Sequence, residues 1–168
     1  MRLFAFVLLL PILLLSGCGD RIEEQARRAV EIEQGDECHL CGMVISRFPG
    51  PKGEAYEQGE EQVRKFCSTR DLMNWALDPE NRHARQQIWV HDMSVVPWEE
   101  PDDEQFIDAE AAWYVVGSSR TGAMGPTLAS FGQQTVAEQF ASQYGGQVLA
   151  FRELTLENIN QDGQHQMH

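Results

Sequence analysis

The chain has no apolar run long enough to cross a bilayer. Its longest apolar stretch, Leu3 to Leu15, falls short of the roughly 20 residues a transmembrane helix needs. After Met1-Arg2 and before Leu15-Ser16-Gly17-Cys18, the stretch reads instead as a secretory signal. Positive charge is scarce as well: 13 Lys and Arg stand against 26 Asp and Glu, for a net charge of −13. An acidic surface of this size repels phosphate backbones and argues against nucleic acid as a partner, while suiting cations or a basic protein. Cysteine is sparse. With Cys18 set aside for lipidation, Cys38, Cys41 and Cys67 remain of the four, an odd number that fits a disulfide framework poorly. Enzyme signatures are missing too: there is no G-x-x-x-x-G-K-[ST], no H-E-x-x-H, and Ser68 has no nucleophile-elbow context.

Leu15-Ser16-Gly17-Cys18 looks like a bacterial lipobox, in which Cys18 is lipidated and becomes the new N-terminus. Residues 1–17 are then the signal peptide, and Gly19 in place of Asp after Cys18 favours the outer membrane, facing the periplasm. Cleavage leaves about 150 residues, enough for one domain. Residues 18–34 are rich in Arg, Glu and Ala, with only Ile22, Ala26, Val30 and Ile32 to bury, and read as a tether.

From Gly35 onward the punctuation suggests elements in a repeated order. Val44-Ile45-Ser46 is a short strand candidate, followed by the loop Pro49-Gly50-Pro51-Lys52-Gly53 and a polar stretch turning at Gln58-Gly59. Val63 to Cys67 is expected to pair with the first strand as a hairpin. Ser68 caps a helix whose apolar residues are Leu72, Met73, Trp75, Ala76 and Leu77, ended by Asp78-Pro79. Ile88 to Met93 is a strand. In the second half, Ala112 to Val116 and Pro126 to Ser130 read as strands, Thr135 to Tyr144 as an amphipathic helix and Gln147 to Phe151 as the last strand. The expectation is an α+β domain over 35–155. Two tandem ββαβ units, about 35–95 and 105–155, pack together behind the lipid-anchored tether, and a polar tail follows over 156–168.

Chemistry concentrates in Asp36-Glu37-Cys38-His39-Leu40-Cys41-Gly42-Met43. Two thiols, an imidazole and a thioether lie within six residues, and thiolate with thioether selects Cu(I). C-x-x-C alone is ambiguous among redox, zinc-binding and structural roles. A thiol-disulfide oxidoreductase is disfavoured because redox C-x-x-C pairs open a helix, whereas Gly42 and a β-like Met43-Val44-Ile45 follow here. A structural zinc site could draw on Cys38, Cys41, Cys67 and a histidine. Farther along, strand alternation puts His91 and Met93 on one face, half of a soft-metal site, with Asp92 placed to orient an imidazole. His39, Cys67 and Met124, the last in a glycine-flanked loop, are further candidates. His165, Met167 and His168 form a weak metal-catching end, and His83 reads as a surface residue.

The lipobox, Asp36 to Met43, Phe48-Pro49-Gly50-Pro51-Lys52-Gly53, Lys65-Phe66-Cys67-Ser68-Thr69, Val90-His91-Asp92-Met93, Ala112 to Ser118 and Gly122-Ala123-Met124-Gly125 occur in an order that resembles the NosL family. The resemblance runs from about Gly35 to Phe151. It implies a lipid-anchored periplasmic Cu(I) metallochaperone that delivers copper to the centres of nitrous oxide reductase by way of the NosDFY ABC-type complex. It implies paired ββαβ units related to an organomercurial lyase, and copper ligands at Cys38, Cys41, Met43, His91 and Met93.

Overall fold

The computed structural model describes residues 27–101 and 103–160. The expected signal peptide, the Cys18 lipidation site and the terminal His165, Met167 and His168 lie outside these residues. Among the described residues no helix is long and apolar enough to cross a membrane.

The first unit is a hairpin of β1 (Gly53–Glu57) and β2 (Arg64–Phe66), then α1 (Thr69–Leu77), the short α2 (Pro79–Arg82), and β3 (Arg85–His91) returning along β1. A further strand, β4 (Phe106–Asp108), joins the far edge and completes an antiparallel sheet of order β2-β1-β3-β4. The second unit has β5 (Trp113–Val116), a small hairpin of β6 (Thr121–Gly122) and β7 (Gly125–Pro126), then β8 (Ala129–Phe131), α3 (Gln134–Tyr144) and β9 (Gln147–Ala150). Its sheet has the order β8-β5-β9. With β4 and the small hairpin set aside, this is the expected α+β arrangement of two ββαβ units. The main core belongs to both, running from Phe66, Leu72 and Val90 to Tyr114, Leu128 and Leu149.

Helix α1 begins where the sequence placed it, because the Ser68 hydroxyl oxygen accepts the Asp71 N–H at 3.0 Å and satisfies an otherwise orphaned donor. It stops at Asp78, ahead of Pro79. The short α4 (Leu156–Asn160) packs back onto α1 and buries Ile159, so the polar tail starts after this helix rather than before it.

The first strand differs from expectation. Residues Ile45–Arg47 form a 3-10 turn, and the partner of β2 is the polar segment Gly53–Glu57. This strand is central, and both of its faces are covered. On one face a Cβ at Gly53 would meet Leu72 Cδ2 at 2.5 Å, so only glycine lets α1 approach the sheet this closely. The opposite face carries Glu54, Tyr56, Trp89 and Lys65, and residues 27–34, the last part of the expected tether, lie across it. Side chains of the sheet hold the backbone of this strap: Trp89 Nε1–H donates to the Arg27 carbonyl (3.0 Å), Tyr56 O–H to Arg28 (2.9 Å) and Lys65 Nζ to Glu31 (2.6 Å). In return, Glu54 Oε2 accepts the Val30 N–H and Asp103 Oδ2 the Ile32 N–H, both at 2.9 Å. Hydrophobic periodicity cannot find a strand whose buried face is polar.

Glu54 is 0 % exposed and its Oε1 is buried without a hydrogen-bond partner. Burial pushes its carboxyl up to about 7, with the Val30 N–H and Lys65 pulling the other way. A raised carboxyl stabilises the fold fully below its unfolded value, and that contribution is lost as pH rises through the folded one. Stability should therefore fall by about 3 kcal/mol between pH 4 and pH 8.5 through this group, and Glu54→Gln should remove that slope, read from urea midpoints across the range. In the same assay Gly53→Ala should cost about 1–3 kcal/mol by overpacking.

Candidate metal centre

The segment Asp36 to Met43 is a loop closed on itself. Cys38 N–H donates to the Met43 carbonyl (2.9 Å) and Gly42 N–H to the Cys38 carbonyl (2.8 Å), with Gly42 at φ +73°, where a side chain would be strained. The loop is tied to β2 by the His39 N–H donating to the Lys65 carbonyl (2.8 Å) and by the Lys65–Asp36 ion pair. These ties bring Cys38 and Cys41 to the end of β2, where Cys67 leads into the N-terminus of α1. Asp71 stands in the first turn of that helix, four residues beyond Cys67.

The sulfurs of Cys38, Cys41 and Cys67 and a carboxylate oxygen of Asp71 all lie within 4.8 Å of one another. Cys41 Sγ is 3.5 Å from Cys67 Sγ, and Asp71 Oδ2 accepts from the Cys67 thiol at 3.1 Å and lies 3.6 Å from Cys38 Sγ. Cys38, Cys67 and Asp71 are buried, and Cys41 is half-buried. Solvent reaches the cluster from the Cys41 side, where Leu40 is 50 % exposed.

The thiols share protons unequally. A hydrogen bond from Cys67, with backbone N–H groups adding to it, brings Cys38 down to about 6 against the opposing cost of burial. Cys67 is driven up by the same partnership, by burial and by Asp71, and burial raises Cys41. Lys52 is 3 % exposed, and burial lowers its ammonium group to about 8. Three sulfurs and one carboxylate converging in this way are a ligand set for a soft or borderline cation.

Neither His39 nor His91 belongs to this converging group, and each remaining candidate has surroundings of its own. His91 is fully buried, and its ring lies 4.1 Å from that of Phe106. Its Nδ1 accepts the Lys52 N–H (3.2 Å) and its Nε2 pairs with Asp103 Oδ1 (3.0 Å), so both ring nitrogens have protein partners. Met93 packs against the smaller core cluster around Phe131 and Phe140. Asp92 Oδ1 accepts from the Ser94 N–H and hydroxyl and from the Gly132 N–H, joining β3 to the second unit. Met43 is half-buried at the end of the thiol loop. His39, also on that loop, is exposed and bonded to Arg64. Met124 is 56 % exposed at the tip of the β6–β7 hairpin. Asp71 is not among the ligands expected from sequence. The available signal was its i, i+4 spacing from Cys67 across a helix cap, which sets the two side chains on one face.

Comparison with known proteins places this geometry among relatives. The NosL family profile matches residues 29–159. The chain is 49 % identical over 141 residues to the copper-binding lipoprotein NosL of Stutzerimonas stutzeri, covering 83 % of this chain and 73 % of that one. It is 37 % identical over 120 residues to the copper-binding lipoprotein NosL of Achromobacter cycloclastes, covering 70 % and 62 %. The crystal structure of the copper chaperone NosL from Shewanella denitrificans superposes with a TM-score of 0.76 at 53 % identity, over 77 % of this chain and 96 % of that one. The solution NMR structure of apo-NosL from Achromobacter cycloclastes gives 0.50 at 34 % identity, over 64 % and 88 %.

A thiophilic probe tests the cluster independently of its natural cargo. Cys38→Ser, Cys41→Ser and Cys67→Ser should each weaken Cd(II) binding, followed by thiolate charge-transfer absorption, by more than the roughly 10-fold that even an outer hydrogen-bond partner is worth. His91→Gln should lower the unfolding midpoint and leave Cd(II) affinity in place.

Proposed function

Because the chain belongs to the NosL family, we propose that it is a copper carrier that holds Cu(I) on the Cys38, Cys41 and Cys67 sulfurs and passes it on by ligand exchange. The observation that carries the reading is the convergence of three sulfurs beside Asp71, with one of them, Cys41, half-open to solvent. Soft donors favour Cu(I) over Mg, Ca and Mn, and a carrier needs its cargo reachable from one side. An incoming ligand approaches at Cys41, past the exposed Leu40 and His39, and forms its bond before the last thiolate lets go. Met43, whose carbonyl accepts the Cys38 N–H on the same loop, offers a thioether to assist.

The cargo is destined for the copper centres of nitrous oxide reductase, handed on through the NosDFY ABC-type complex. The carrier works at the periplasmic side of the outer membrane, anchored through lipidated Cys18. The relatives' names as lipoproteins and as a copper chaperone support the copper cargo and the lipid anchor, as does the lipobox ahead of the domain for the anchor. The role is transport and not catalysis.

One observation favours a second reading. Three cysteines and an aspartate make a four-donor set, which also suits a closed tetrahedral Zn(II) site. The readings differ in what the metal does for folding. A structural zinc contributes folding energy outright, whereas a carrier must remain folded when empty. Anaerobic titration of the reduced full-length protein with Cu(I) against a chelating competitor, and separately with Zn(II), decides between them. The expected result is tight Cu(I) binding, weak Zn(II) binding and unchanged circular dichroism of the apo-protein. Cys38→Ser/Cys41→Ser should abolish the tight Cu(I) site while the domain stays folded. Unfolding on metal removal, or undiminished Cu(I) affinity in the double variant, would overturn the copper-carrier reading.

A further inference from the structure

We propose that this centre carries a modification site of its own: a disulfide between Cys41 and Cys67, formed by exchange with a small-molecule disulfide, that closes the site to metal. The spacing C-x-x-C nominates Cys38 and Cys41 as the redox pair, but the geometry selects differently. Cys41 Sγ lies 3.5 Å from Cys67 Sγ, in direct sulfur–sulfur contact. Closing to a bond of about 2.05 Å asks the two sulfurs to approach by roughly 1.5 Å. Cys38 is held back by its surroundings. Its backbone is locked at both ends of the loop turn, and its sulfur rests beside the Asp71 carboxylate.

Exposure assigns the order of events. Cys41 is the half-buried member, so an external disulfide meets it first, while Cys67 is 0 % exposed and acts from within. The Cys41 sulfur attacks one sulfur of the small disulfide, forming a mixed disulfide and releasing one thiol. The Cys67 sulfur then attacks Cys41 Sγ, forming the internal bond and releasing the second thiol. Two cysteines are oxidised and one external disulfide is reduced, and the two cysteine protons leave on the two released thiols.

The consequence for cargo rests on the copper reading above. The internal bond removes two of three sulfur donors and leaves only Cys38 and Asp71. Bound Cu(I) in turn occupies the sulfurs and blocks the exchange. An empty carrier in an oxidising compartment therefore becomes closed, and a loaded one stays reduced.

The test uses the full chain with Cys18→Ala, so that the thiols of the centre alone report. The reduced apo-protein is incubated with oxidised glutathione, then alkylated, digested and mapped by mass spectrometry. The expected product is one peptide pair joined through Cys41 and Cys67. Cys38→Ser should give the same link, and Cys67→Ser should stop at a glutathione adduct on Cys41. Cys41→Ser, changed at the half-buried position, should form no internal link and serves as the second variant should Cys67→Ser misfold. A Cys38–Cys41 link as the main product, or an undiminished internal disulfide in Cys67→Ser, would overturn the proposal. In a parallel arm the oxidised protein should lose Cu(I) affinity by about 100-fold or more, as expected when a soft cation loses two of three thiolates. Equal affinity in both states would overturn the closing role. Failure of the reduced protein to bind Cu(I) would instead remove the copper reading and leave the disulfide assignment standing.

Discussion

A buried carboxylate has to be hydrogen-bonded, and Asp71 meets that demand with sulfur. It sits in the first turn of α1, where the helix dipole favours negative charge, and it takes the Cys67 thiol at 3.1 Å. Much else follows from that contact. Cys67 must lie at the end of β2 for the thiol to reach the helix. The loop carrying Cys38 and Cys41 must in turn close over the same point. The ties of that loop to β2, through the Lys65 carbonyl and the Lys65–Asp36 pair, hold it there. The thiols are thus positioned by the end of β2, the start of α1 and a loop tied to both β2 and itself.

The two ββαβ units are joined at His91-Asp92-Met93. The Ser130 hydroxyl donates to the His91 carbonyl (2.7 Å), the Met93 N–H donates to the Ser130 carbonyl (2.9 Å), and Asp92 accepts the Gly132 N–H (3.1 Å). The segment therefore links the sheet that positions the thiols to the half that completes the core. In one-dimensional form, a histidine and a methionine two residues apart carry the same sign whether they ligate a metal or seal a seam. The partners that hold this segment at the seam, Lys52, Asp103 and Ser130, come from other parts of the chain.

The polar face of the first sheet shows the same limit in another form. Glu54, Tyr56, Trp89 and Lys65 cover themselves with the backbone of residues 27–34, so the burial is achieved by hydrogen bonding to a strap rather than by hydrophobic contact. From composition alone that strap is a charged tether, and β1 is a loop. The strap continues directly into the metal loop at Asp36, which makes the packing of this polar face part of what positions Cys38.

Local sequence by itself determined the elements whose signals are local. Ser68 with Asp71 and the Asp78-Pro79 stop specified α1, the β-branched and aromatic run at Trp113–Val116 specified β5, and Gly42 specified the turn between the thiols and Met43. These rest on capping, propensity and a positive φ, all of which act within a few residues. Most of the order of elements, and with it the paired-unit fold, was legible for that reason, while β1, with its polar buried face, was not. The tertiary structure alone decided which donors meet. Cys67 comes 26 residues after Cys41 in sequence and Asp71 lies four farther on, yet they converge because the β1–β2 hairpin folds back and α1 starts at its end. Long-range pairing energies make that choice, and no single segment carries them.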